Sequence, residues 1–190
     1  MISKKEFFSK QKIILNNRKP QVEFLLEKLK KHIYFSGNKL LSLGCGTAHE
    51  LSILKESFDE VIGVDIDSAI IDFCKETHED ISFVCENNLI FLEKQKEDSV
   101  DLILCLDIDT NIFPQRLLSI AKTKLKKRGS IVFTERQNNI SIYDRLLLFP
   151  FIEQIKKQFQ EEFYFYEDNN LLNVADPNTR DNVVLMAKKK

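Results

Sequence analysis

Apolar and polar positions change texture once along this chain, near Gly37. Before it, Val22, Leu25, Leu26, Leu29 and Ile33 fall on one stripe, with Glu27, Lys28, Lys30 and Lys31 elsewhere, the spacing of an amphipathic helix. Pro20 suits the first turn of that helix and Gly37 its end. A weaker pattern over Lys4 to Leu15 predicts a separate, earlier helix.

After Gly37, short apolar runs alternate with helix-length segments. Leu40–Leu43, Val61–Val64, Ile81–Cys85, Val100–Leu106 and Ser130–Phe133 read as five strands. The fifth is reached through a basic helix end, Lys122 to Arg128, and a turn at Gly129. Nearly continuous apolar strands separated by helices imply a parallel sheet covered on both faces. A helix around Leu146 to Phe159 then precedes Glu162–Tyr166 and Asn182–Ala187, two strands across a polar link containing Pro177. The alternating faces of Phe163–Tyr166 read as strand core. The expected architecture is therefore α/β: a doubly wound, mostly parallel seven-stranded sheet with helices on both faces, a C-terminal antiparallel hairpin and an N-terminal helical arm. One domain over 1–190 is expected, with the arm over 1–38 and the core over 39–190.

Composition leaves that picture intact. The 190 residues are 43% hydrophobic and 30% charged, ordinary for a globular chain, and the net charge of −1 gives no overall pull toward nucleic acid or an anionic membrane. Charge is uneven, however: residues 1–39 hold ten Lys and Arg against three acids. Because these cations are interspersed rather than blocked, a solvated helical face is the preferred reading over an acidic partner. Cys45, Cys74, Cys85 and Cys105 form no CxxC pair and lie at no metal-ligand spacing from a histidine, so neither disulfides nor a metal site is expected. With no apolar run long enough to span a bilayer, the expected compartment is the cytoplasm.

The sharpest chemical feature is Ser42-Leu43-Gly44-Cys45-Gly46-Thr47-Ala48, at a strand-to-helix junction. Two glycines allow a sharp turn and close ligand approach, and the unpaired N–H groups of the next helix favour polar or anionic atoms. Asp65 ends the second strand 21 positions after Gly44, where a carboxylate can accept hydrogen bonds from two ribose hydroxyls. Asp67 has the better claim to cap the following helix.

On these residues the chain resembles the class I S-adenosylmethionine-dependent methyltransferase family. Leu40–Ala48 resembles its glycine motif, Val61–Ser68 its second landmark and Phe83–Asn88 its third. Asp101–Asp107 is similar to the aspartate-opened fourth strand, and Leu125–Ser130 to the turn before the fifth. The resemblance implies an α/β methyltransferase that uses S-adenosylmethionine and releases S-adenosylhomocysteine. Carried over by position, Ser42 takes the place of the family's acid, and Gly44, Cys45 and Gly46 form the turn under the methionine and ribose. Asp65 would hold the ribose hydroxyls and Ile66 would pack on the adenine. Asn87, with Glu86 and Asn88 beside it, would sit at the adenine edge, and Leu106 would floor the site near the methyl group.

Three positions depart from the family pattern: Ser42 replaces an acid that supports the cofactor's ammonium group, Ala48 a glycine, and Asn87 an aspartate. They motivate an alternative, a cofactor-binding or partner-binding protein without catalysis. A nicotinamide dehydrogenase is disfavoured because His49 stands where its fingerprint wants a small residue.

No catalytic residue is singled out. Asp107, Asp109, Glu135 and Tyr143 are placed at or after strand ends where a general base would act. The expected acceptor is a small molecule, with RNA or protein as the alternatives and no membrane partner. The arm is expected to pack partly on the domain and to wall the acceptor pocket.

Overall fold

The computed structural model describes residues 3–108, 114–135, 153–166 and 183–190. The elements are α1 (Lys4–Leu29), β1 (Gly37–Leu43), α2 (His49–Leu54), β2 (Phe58–Asp65), α3 (Ser68–Thr77), β3 (Ser82–Cys85), α4 (Asn88–Glu93), β4 (Val100–Ile108), α5 (Pro114–Lys124), β5 (Leu125–Glu135), β6 (Phe163–Tyr166) and β7 (Val183–Lys189). A further helix covers 153–159.

The seven strands form one sheet in the order β3-β2-β1-β4-β5-β7-β6. β1 to β5 are parallel, whereas β7 runs antiparallel to both β5 and β6. The chain builds outward from β1 through β2 to β3, then returns to the other side of β1 at β4. That reversal opens a crevice at the C-terminal ends of β1 and β4, the usual ligand position in such sheets.

Side chains alternate faithfully between the two faces. Leu40, Val61, Leu102, Leu104, Leu106 and Val132 join Leu51, Leu54, Ile71, Phe73, Val22, Leu26 and Leu29 on one side. Leu41, Leu43, Ile103, Cys105, Ile131 and Phe133 join Phe91, Leu92, Leu117, Leu118, Ala121, Ile155 and Phe159 on the other. So α1, α2 and α3 cover one face, and α4, α5 and the helix at 153–159 cover the other. Burial on both sides is why the strands read as apolar runs.

The arm differs from expectation. It is one continuous helix, with Ser3 accepting the Glu6 N–H at its start and Pro20 inside it. An interior proline deletes one helical hydrogen bond and costs about 3 kcal/mol. Packing on both sides of it offsets that cost. Phe8 meets Phe73 edge-on at 5.4 Å, and Val22, Leu26 and Leu29 are buried on the same face. The helix also stops at Leu29, short of Gly37, which opens β1.

A second correction concerns β5. Leu125–Arg128 is already strand rather than a helix end, with Leu125 pairing to Val100 across a register shift. Leu125 is buried, and that apolar anchor outweighs the helical character of the lysines around it.

Candidate functional site

β1 ends in a turn that needs left-handed backbone at three residues: Gly44 (φ 73), Gly46 (φ 50) and Ala48 (φ 57). Glycine adopts such angles freely, but Ala48 does so at a cost of roughly 1–2 kcal/mol. The departure from the family's third glycine is thus a strained alanine, fully buried between the turn and α2.

The turn is pinned from the end of β2 and the start of α4. The N–H groups of Gly44 and Cys45 donate to Val64 O at 2.8 and 2.9 Å. Asn88 Oδ1 accepts from Gly44 N at 3.1 Å, and Asp65 Oδ2 accepts from Gly46 N at 3.0 Å. The other Asp65 oxygen accepts from Asp67 N at 3.0 Å. A carboxylate offers about four acceptor positions, so Asp65 retains capacity for two hydroxyls. Asp67 caps α3 through Ala69 N and Ile70 N, as its sequence position predicted.

Ile66 follows Asp65 and is 73% exposed, an unusual state for a large apolar residue at a strand end. Glu86 N donates to Asp65 O at 3.0 Å, which brings the third strand's end to the same edge. The Glu86 carboxylate itself pairs with Lys94. Asn87 caps α4, its carbonyl oxygen accepting from Leu89 N and Ile90 N at 3.0 and 3.3 Å. That oxygen is therefore occupied, and the amide NH2 is the end of Asn87 left to meet a ligand. Leu106 is buried in the same cluster as Cys45 and Ala48.

Beneath the turn lie two thiols. Cys74 Sγ donates to Gly46 O at 3.0 Å, and the Cys45 thiol is raised well above its ordinary pKa by its bond to Cys74 and then by burial. All four cysteines are free thiols. His78 Nε2 lies 3.1 Å from Thr47 O, while His49 Nε2 is buried without a hydrogen-bond partner.

Two contributors escaped the sequence reading. Glu50, on α2, is buried and accepts from Ser42 Oγ at 2.7 Å. Its position was legible in principle, because Glu50 shares a helical face with buried Leu54 at four-residue spacing. The second is Arg18 of α1, whose Nη1 lies 4.0 Å from where a Gly46 Cβ would stand. The arm thus reaches the glycine turn.

Asp101, which opens β4, lies at the opposite end of the strands. It accepts from Asn38 N and Lys39 N at 2.9 Å and from Lys126 Nζ at 2.8 Å, joining the starts of β1 and β5. Of the proposed bases, Asp107 and Glu135 fall near the ends of β4 and β5. Asp109 and Tyr143 lie outside the described residues. Among the described residues, no group of three His, Cys, Asp or Glu is arranged to hold a metal ion, and no helix is long and apolar enough to cross a membrane.

The model of the family described as "Methyltransferase domain" matches residues 35–185. No curated protein matches. Solved structures do, at low identity. An S-adenosylmethionine-dependent methyltransferase from Archaeoglobus fulgidus shares 20% identity at a TM-score of 0.58, covering 88% of this chain and 94% of that one. An rRNA methylase from Streptococcus thermophilus shares 10% at 0.60, covering 85% and 91%. Geranyl diphosphate C-methyltransferase from Streptomyces coelicolor A3(2), solved with Mg2+, geranyl diphosphate and S-adenosyl-L-homocysteine, shares 15% at 0.60, covering 90% and 77%.

Proposed function

The chain belongs to the methyltransferase domain family, and we propose that it binds S-adenosylmethionine and transfers its methyl group to a small-molecule acceptor at the C-terminal ends of β1 and β4. The observation that carries the site is Asp65, whose carboxylate is fixed by the Gly46 and Asp67 N–H groups beside the turn at Gly44 and Gly46.

The residues present suit the cofactor. Gly44 and Gly46 leave the space a thioether chain needs, and Asp65 holds the two ribose hydroxyls. Ile66 supplies an apolar surface for the adenine. The Asn87 NH2 is a donor, so it suits a ring nitrogen of the base rather than its amine. Bound there, the cofactor supplies an already activated methyl on a sulfonium. The protein's task is to orient the acceptor in line and exclude water, which can provide most of the rate. Leu106 forms the apolar floor under the reacting centre, and α1 walls the pocket through Arg18.

A small acceptor is favoured over RNA by the state of the basic arm. Some of its cations are answered locally: Lys4 pairs with Glu76 at 2.6 Å, Lys10 with Glu6 at 3.5 Å and Lys30 with Glu27 at 2.5 Å. Exposed pairs of this kind add little stability, but they lower the field that would attract phosphates. Incubating the protein and methyl-labelled cofactor with size-fractionated cell extract tests the proposal. Label in the small-molecule fraction is expected; label confined to RNA or protein overturns it.

A further inference from the structure

Pro20 divides α1 into two halves that are held to the domain unequally. Lacking an N–H, it gives no hydrogen bond to the Asn16 carbonyl, so the helical ladder is interrupted there. After the proline, Val22, Leu26 and Leu29 are buried in the core at 5%, 1% and 0% exposure. Before it, over residues 4–19, no side chain is buried: Phe7, Phe8, Gln11, Leu15 and Arg18 are half-buried and the others are exposed. This first half is held at its outer end, where Phe8 meets Phe73 of α3 edge-on at 5.4 Å and Lys4 pairs with Glu76 at 2.6 Å. The ion pair joins exposed side chains and adds little. At its inner end the same half reaches the glycine turn, with Arg18 Nη1 4.0 Å from where a Gly46 Cβ would stand.

We propose that residues 4–19 are a cover that swings about Pro20, opening the glycine turn to the cofactor and closing once it is bound, while residues 22–29 stay fixed to the core. This rests on the reading that the nucleoside lies against Gly44 and Gly46. A helix bends at an interior proline because one ladder bond is missing and the ring crowds the carbonyl four residues back. Local opening takes the segment with the least buried apolar surface. In α1 the two features coincide: the missing bond falls where half-buried Leu15 and Arg18 give way to buried Val22. Lys19 and Glu23 face each other across the proline at 4.0 Å, an exposed pair too weak to brace it. A ligand under the closed cover leaves only when the cover opens, so binding and closure stabilise each other.

Hydrogen exchange of the full chain, free and with S-adenosylhomocysteine, tests this, with calorimetry on the same samples to register binding. In the free protein, amides 4–19 are expected to exchange together, about tenfold or more faster than those of 22–29, with the step at Pro20. S-adenosylhomocysteine is expected to slow the first group and leave the second unchanged. Protection that climbs gradually along 4–29 is end fraying and overturns the hinge; bound ligand with unaltered exchange over 4–19 overturns the cover. Surface plasmon resonance adds a kinetic reading. Phe8→Ala loosens the outer contact and is expected to speed both association and release about threefold or more, at nearly unchanged affinity. A merely structural role for Phe8 raises release alone, and that result overturns the proposal. Pro20→Ala restores the missing bond and is expected to slow both rates; should Phe8→Ala fail to fold, unchanged rates in Pro20→Ala overturn the proposal by themselves. The parent reading fails separately: no calorimetric binding of S-adenosylhomocysteine to the unaltered protein removes the cofactor from the turn, and the cover's role with it.

Discussion

Asp65 Oδ2 accepts the Gly46 N–H at 3.0 Å, so the residue assigned to the ribose also holds the turn beneath it. Asp65→Ala therefore removes a ligand contact and a structural bond together. Cofactor affinity is expected to fall by roughly 1.5–3 kcal/mol, the range for bonds to a charged group. Thermal stability should fall by about 1 kcal/mol as well. Asp65→Asn retains one acceptor oxygen and should lose less of both. Calorimetry with S-adenosylhomocysteine and melting of the free proteins separate the two effects; undiminished affinity in folded Asp65→Ala contradicts the assignment.

Ala48 pays for a left-handed backbone at φ 57 in a fully buried position. A β-branched residue tolerates that angle far worse and has no room for its extra carbons. Ala48→Val is expected to lose roughly 2–4 kcal/mol from combined strain and overpacking. Denaturant unfolding measures it, and a loss under 1 kcal/mol would mean the turn relaxes.

His49 is held below its ordinary pKa, chiefly by burial; Glu23 opposes the shift, while Lys19, His78 and Arg18 reinforce it. The unfolded chain protonates first as pH falls, so stability is unaffected above about pH 6.5 and declines below it, until the depressed folded value is passed. Three of these groups, Glu23, Lys19 and Arg18, lie on α1, so its docking should loosen over the same interval. His49→Leu also removes a buried Nε2 that has no partner. It should be neutral or stabilising at pH 8 and should flatten the decline between pH 6.5 and 5. An identical acid limb in the variant would assign the decline elsewhere.

At the far end of the strands, burial pushes the Asp101 carboxyl up, but the bonds from Lys126, Lys39 N and Asn38 N prevail and hold it below the usual range. Its stabilising contribution is present above the ordinary carboxylate pKa and is lost as pH falls through the lower folded value. Asp101→Ala should cost roughly 1.5–3 kcal/mol of stability. Affinity for S-adenosylhomocysteine should be unchanged, since Asp101 stands at the opposite edge from Gly46. Parallel losses of stability and affinity would contradict that separation.

Most of the fold was legible because the strands are buried on both faces and declare themselves as apolar runs broken by glycine turns. The glycine turn, the end of β2 at Asp65 and the Asp67 cap could be read from spacing alone. Pro20 misled because a local rule against interior proline was overridden by packing on both sides of it, through Phe8 and Val22. Leu125–Arg128 misled because lysines near a helix end say nothing of the pairing between Leu125 and Val100. Asn87 was read for its ligand, but its carbonyl caps α4. Glu50 was missed because an acid reads as surface until the hydroxyl opposite it is known, and that hydroxyl lies on another element.

The central claim is that the glycine turn, Asp65 and Ile66 hold the nucleoside. A crystal structure of the protein grown with S-adenosylhomocysteine tests it most directly. Both ribose hydroxyls are expected within hydrogen-bond distance of the Asp65 carboxylate, with the adenine against Ile66 and the thioether over Gly44 and Gly46. A nucleoside bound elsewhere, or Asp65 oxygens facing only the Gly46 and Asp67 N–H groups, would contradict the account.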